Sequence, residues 1–245
     1  MRGRLGQRRK RPALCGYEKN NSDNKGRLRH RILIVLPAIL AFPLAGCVAG
    51  SATGQTYAES QRHTYANFDK VDVSAGIETV VRQGPFDVTA EAMKGESFDN
   101  LIVEVKGDTL RISRKSSIMN WSGEQYRVTV SAPAYSALGA SSGSRLEGAN
   151  LTLKDLSVEV SSGASMELGG ACNALNLEIS SGANFDGEDL RCATAMVEAS
   201  SGASVDAFAS QLADGEASSG ANVTFHGQPK QVREDTSSGG SVRAR

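Results

Sequence analysis

The chain is poor in several things, and each shortage closes off a class of function. Aromatic residues are 5% of 245, too few to build stacking platforms for single-stranded nucleic acid. Three histidines are present, and only His63 and His226 follow the N-terminal apolar segment. One falls in a polar, small-residue stretch and the other in a late turn, so a positioned general base is hard to assemble. Serines abound, but no histidine is placed to activate them. Clustered His/Cys metal ligands and phosphate-binding glycine loops are missing. The one uninterrupted apolar run, "ILIVLPAILAFPLAG", is about 15 residues and carries two prolines, short for a membrane-spanning helix.

Formal net charge is zero, with 27 basic and 27 acidic side chains. The balance hides an asymmetry. Residues 1–46 hold 11 Lys/Arg against 2 Asp/Glu, which leaves the remainder with 16 basic and 25 acidic. The remainder therefore lacks a basic stripe for nucleic-acid phosphates. Arg27, Arg29 and Arg31 precede the apolar run, which ends in Leu44-Ala45-Gly46-Cys47. A basic flank, a short apolar core and a small-residue end are the parts of a secretory signal. The four-residue end resembles a bacterial lipobox. That resemblance implies a lipidated Cys47 as the mature N-terminus and attachment to a membrane. Val48 follows where aspartate often directs inner-membrane retention, so sorting to the outer membrane is expected. This divides the chain into a signal over residues 1–46, a lipidated cysteine and tether over 47–65, and a folded domain over 66–245.

What the chain has in quantity is Ser-Ser-Gly. The tripeptide begins at Ser141, Ser161, Ser180, Ser200, Ser218 and Ser237, at intervals of 18–20 residues. Flexible linkers keep no period. Here "LSVEVSSGASMEL", "LNLEISSGANFDG" and "AMVEASSGASVDA" align without gaps, with apolar residues alternating on both sides of the serines. Alternation indicates strands, and a fixed period near 20 indicates stacked units that bury one another. The pattern predicts an all-β parallel solenoid with rungs of about 17–20 residues, Ser-Ser-Gly marking a corner where glycine permits a positive φ. Residues 66–131 alternate with less repetition and are expected to form the first, more irregular rungs. "SSIMNWSGEQ", with Ile118, Met119 and Trp121, reads as a loop folded over the solenoid.

The stretch "VDVSAGIETVVRQGPFDVTAEA", followed by Ser-Ser-Gly repeats, resembles the auto-transporter adhesin head GIN domain family, once a domain of unknown function. The likeness runs from about Phe68 to the C-terminus. It implies a right-handed β-helix on an exported bacterial envelope protein, and it brings no catalytic residues. The Gly-Ile-Asn motif that names the family corresponds to Gly76, Ile77 and Glu78, with glutamate in place of asparagine.

Two acidic rows follow from the repeat. Two residues before each first serine stand Glu159, Glu178, Glu198, Glu216 and Asp235. Four residues after the glycine stand Glu147, Glu167, Asp186 and Asp206. In register they form columns of like charge about 4.8 Å apart. Such columns serve as a solvated face or recruit Ca2+, which takes several oxygen ligands; the known nonapeptide Ca2+ roll is missing. Cys172 and Cys192 each precede the next Ser-Ser-Gly by eight residues, so they hold one position in successive rungs. The distance suits either a disulfide or a pair of buried thiols.

These features lead to a non-catalytic binding or adhesion domain on the bacterial envelope. Its surface partner is a glycan or an envelope protein, it takes no nucleic acid, and its only candidate cofactor is Ca2+. A structural protein assembling through solenoid edges is the alternative. A glycan-active enzyme fits less well, because periodic carboxylates argue for architecture over one tuned pair.

Overall fold

The computed structural model describes residues 57–93, 95–115 and 124–245. Cys47 and residues 116–123, with Ile118, Met119 and Trp121, lie outside them. The described residues are all-β, and the repeat winds as a solenoid. Its regular part runs through β8 (Ala137–Ala140), β9 (Arg145–Thr152), β10 (Asp155–Val160), β11 (Ser165–Ile179), β12 (Asn184–Ala199), β13 (Ser204–Ala217), β14 (Asn222–His226), β15 (Gln231–Thr236) and β16 (Ser241–Ala244). All pairings among these strands are parallel.

Each Ser-Ser-Gly is a corner, and the corner asks more than a flexible glycine. The second serine and the glycine are both left-handed: Ser162 has φ 53° and Gly163 φ 70°, and the same pair recurs at every repeat. An N–H to C=O bond closes each turn, as from Ala183 to Ser180 at 3.2 Å. Inter-rung bonds then run both ways. Ser180 N–H donates to Val160 O, one rung back, while Gly182 N–H donates to Ser201 O, one rung on, both at 3.0 Å. Left-handed geometry costs an L-residue about 1–2 kcal/mol. The serine tolerates it because the stacked turns satisfy its backbone groups. The next residue faces inward and is small and buried: Ala164, Ala183, Ala203 and Ala221 have no exposed surface.

Strand alternation supplies the rest of the core. Val158, Leu177 and Val197 form one inward column, followed by Gly215. A Cβ on Gly215 would meet the Phe225 ring and Val242, so the larger side chain fills what the glycine leaves.

The N-terminal rungs are irregular in their order as well as in their sequence. β2 (Lys70–Val73) and β3 (Glu78–Gln83) form the rung beneath β8 and β9, although Lys70 pairs with Ala137, 67 residues later. The intervening chain builds layers on their other side. β6 (Thr109–Arg114) pairs in parallel with β2, and β7 (Tyr126–Ala132) with β3. Beyond these lie antiparallel strands: β5 (Leu101–Lys106) on β6, and β4 (Asp87–Met93) on β7. β1 (Tyr57–His63) adds an antiparallel edge to β4. The first described strand thus starts at Tyr57, inside the stretch read as tether. An exposed burial pattern gave that strand no alternating signature.

Ser74-Ala75-Gly76 between β2 and β3 is an unrecognised seventh corner. Ala75 has φ 63° and Gly76 φ 69°. Gly76 N–H reaches Ser142 O at 3.1 Å, continuing the corner ladder. Gly76 therefore takes the place of a Ser-Ser-Gly glycine, with Ile77 buried in the small-residue column that follows it. Glu78 meets Arg127 at 2.7 Å and Tyr57 Oη at 3.3 Å, and Arg127 stacks 4.8 Å above the Tyr57 ring. The Glu78 hydrogen bond raises the Arg127 pKa, and burial, ahead of the Glu78 charge, raises that of Tyr57.

Candidate functional site: an acidic groove across the rungs

The first acidic row aligns as the spacing required. Glu159 pairs with Glu178, Glu178 with Glu198, Glu198 with Glu216, and Glu216 with Asp235. Alternation turns these side chains outward, because Val158 and Val160 on either side of Glu159 turn in. Between this row and the first serines of the corners runs an open groove of about 370 Å3, lined from Glu159 and Ser161 to Asp235 and Ser237. Each of its five rungs presents one carboxylate and one hydroxyl-bearing residue, Ser161, Ser180, Ser200, Ser218 or Ser237.

Adjacent carboxylates at strand spacing repel by about 0.9 kcal/mol per pair in a water-like dielectric. Among the described residues no Lys, Arg or His forms an ion pair with any of the five. No direct ion pair among the described residues therefore offsets the charge of this row.

The second row differs. Glu147, Glu167, Asp186 and Asp206 also align, and Thr224 continues them. This row carries its own countercharges. Arg145 bonds Glu147 and reaches Glu167 at 3.2 Å. His226 Nε2 lies 2.9 Å from Asp206 Oδ1, and its Nδ1 3.5 Å from Glu188. His226 ends β14 and stands over the acidic row, which spacing alone did not suggest.

Among the described residues no three of the His, Cys, Asp and Glu side chains are grouped to hold a metal ion. Side chains rising in parallel from a strand ladder offer an ion two neighbours at a time, whereas Ca2+ takes 6–8 oxygens. Gly139-Ala140-Ser141-Ser142-Gly143 spells the Gly-x-Ser-x-Gly of a nucleophile elbow. Here Ser141 leads into a strand, not the helix that pattern requires. Its backbone N–H is spent on Val73 O.

Cys172 and Cys192 are paired positions of β11 and β12, with Cα atoms 4.4 Å apart, and the structure joins them as a disulfide. Both sulfurs are inward, and Cys192 is 1% exposed. Two buried tyrosines stand far from either row in character. Tyr126 Oη donates within reach of Ser97 O at 2.7 Å, and Tyr135 Oη reaches Arg82 O at 2.8 Å. Burial pushes both phenols well above their ordinary pKa.

Stacked rungs, aligned outward rows and an apolar interior define a β-solenoid with a repetitive outer face. The chain belongs to the family described as "Putative auto-transporter adhesin, head GIN domain", which matches residues 67–229. A crystal structure of a "putative adhesin" from Bacteroides fragilis superposes with a TM-score of 0.62 at 14% identity, covering 76% of this chain and 96% of that one. A "putative lipid binding protein" from Parabacteroides distasonis aligns over 76% of this chain and 96% of its own, at 14% identity and a TM-score of 0.47. The first likeness shows a shared fold. No curated protein matches the chain.

Proposed function

We propose that this chain is a lipid-anchored protein of the bacterial envelope whose solenoid is a non-catalytic adhesion module, and that its contact surface is the acidic groove. The observation that carries this reading is the row of five carboxylates in register across the rungs, each beside a serine and none in an ion pair among the described residues. A rigid row with a strand-ladder repeat favours an extended ligand that meets several rungs at once, so weak contacts add by multivalency. A glycan bearing cationic or hydroxyl groups, or an extended segment of an envelope protein, fits that description; nucleic acid does not. The family membership supports a surface role. The lipobox-like Leu44-Ala45-Gly46-Cys47 supports anchoring through Cys47, with the outer membrane as destination.

Two measurements test it. Glycan and envelope-protein arrays probed with the detergent-solubilised mature protein should give ligands whose binding falls when Glu178 and Glu198 are both changed to Gln. The matched change at Glu167 and Asp186 should leave binding intact. Ligands indifferent to the first pair move the contact surface elsewhere. For the anchor, Cys47→Ser should abolish lipidation, and a mature wild-type protein retaining residues 1–46 by mass spectrometry would exclude it.

A further inference from the structure

The last rung breaks the inward pattern of all those before it. By register Val232 stands over Ala213, Glu234 over Gly215, and Thr236 over Ala217. Those three positions in β13 are buried, and Val197 and Leu177 precede Gly215 in the same column. Neighbouring Arg233 and Asp235 turn outward, since Arg233 reaches Asp214 at 3.5 Å on the outer face and Asp235 lines the groove. Glu234 thus takes the register position of the inward column, above Gly215, yet remains exposed. Among the described residues β15 pairs with β13 alone, which leaves its other edge open. All six of its residues are exposed, Val232 by 40%.

An open edge beside exposed apolar surface is a template for another strand, and charged side chains on the edge are one way proteins keep such edges from pairing. The charges of β15 also match β15 itself. In antiparallel two-fold pairing centred on Glu234, Arg233 lies opposite the second copy's Asp235 and the reverse, an isologous arrangement with two opposite-charge cross-strand pairs. Val232 lies opposite Thr236 on the inner face. The one conflict falls at the centre, where Glu234 lies directly opposite its own copy and like charges meet. We propose that the open edge of β15 is a self-pairing surface for a second copy of this chain, and that the carboxylate of Glu234, opposite its own copy, holds it shut.

The test is light scattering on the detergent-solubilised mature protein, with detergent mass subtracted. The wild type should be monomeric at micromolar concentration. Glu234→Val should double the protein mass, and Glu234→Gln should do so at about tenfold higher concentration. Adding Arg233→Glu to Glu234→Val should return it to monomer, and Arg233→Glu with Asp235→Arg in the same background should restore the dimer. A Glu234→Val chain that stays monomeric with an unchanged circular-dichroism melt overturns the proposal, as does a wild type already dimeric to the same degree. A dimer insensitive to the charge reversal overturns the two-fold register. Should Glu234→Val fail to fold, Glu234→Gln carries the same decision.

Discussion

The N-terminal layers and the Ser-Ser-Gly rungs solve the same problem, burying one face of a strand, with different materials. From Ala137 onward each rung lies directly on the one before it in sequence, small side chains suffice at the corners because the turns interlock through backbone bonds, and mostly aliphatic residues fill the columns between. Before Ala137 the chain doubles back: β6 and β7 lie outside β2 and β3, and the earlier strands β5, β4 and β1 lie outside those. There aromatics do the filling: Phe68 packs on Phe86 and Phe98 on Tyr126. Tyrosine hydroxyls bind the backbone across long separations, as Tyr65 does to Val103 O at 2.6 Å. Repetition makes stability local and cheap in sequence. Ending the repeat requires specific, long-range contacts.

The largest expected effects separate the two regions by size of loss. Tyr126→Ala should destabilise by about 3–5 kcal/mol, since it empties a buried aromatic site. Leu177→Ala, in the middle of the rungs, should cost about 2–5 kcal/mol, toward the lower end if the rungs close in on the cavity. Denaturant titration measures both; a two-step unfolding curve for either would show the regions to be separable units.

Next in size is the tie between two rungs. Cys172 and Cys192 close a loop with sequence separation 20, worth about 3 kcal/mol in the chain-entropy account. Replacing both with Ala should lower stability by about that much. Two free thiols per chain in unfolded, unreduced protein would show that the bridge is not formed in the cell.

The corners should then erase the contrast. Gly76→Ala in the irregular end and Gly202→Ala in the rungs remove glycine at φ 69° and 73°, and a Cβ meets nothing within 4 Å at either. Each should cost about 1–2 kcal/mol from left-handed strain alone. Unequal losses would mean that Ser74-Ala75-Gly76 is not the same device as Ser-Ser-Gly.

A smaller effect belongs to the N-terminal side. The Tyr135 phenol is raised by burial. Its folded pKa therefore exceeds the unfolded value of about 10, so its contribution is fully present below pH 10 and is lost as pH rises above that. Tyr135→Phe should flatten the alkaline arm of the stability curve, while Leu177→Ala should shift the curve without changing that slope.

Smallest of all is the groove. Glu198→Gln relieves repulsion from two neighbours and should stabilise by under about 1 kcal/mol. Millimolar Ca2+ raising the melting temperature more than NaCl of equal ionic strength would favour ion binding by the rows. Equal shifts would leave screening alone.

The sequence displayed the rungs because their information is periodic. One aligned triplet fixed the corner, the inward columns, both acidic rows and the position shared by Cys172 and Cys192. It hid the N-terminal order because the Lys70–Ala137 pairing is long-range, and nothing local at Lys70 announces its partner. β1 escaped notice for another reason: its outward residues, Glu59, Ser60 and Gln61, read as solvated chain, and only pairing with β4 makes them a strand. The left-handed serine was concealed because its tolerance comes from stacked turns, a property of the assembly and not of serine. Arg145 and His226 carried no spacing signal either, since each reaches the second acidic row from a single rung.

The position of the disulfide has a mechanical meaning. A solenoid stretched between its two ends peels rung by rung because each rung leans only on its neighbours. Peeling from Arg245 would release β16, β15, β14 and β13, along with the distal rungs of the groove. It would then meet the bond between Cys192 and Cys172. While the bond is intact the chain between the two cysteines cannot lengthen, and on reduction it can, so single-molecule stretching should show a total extension that grows on reduction.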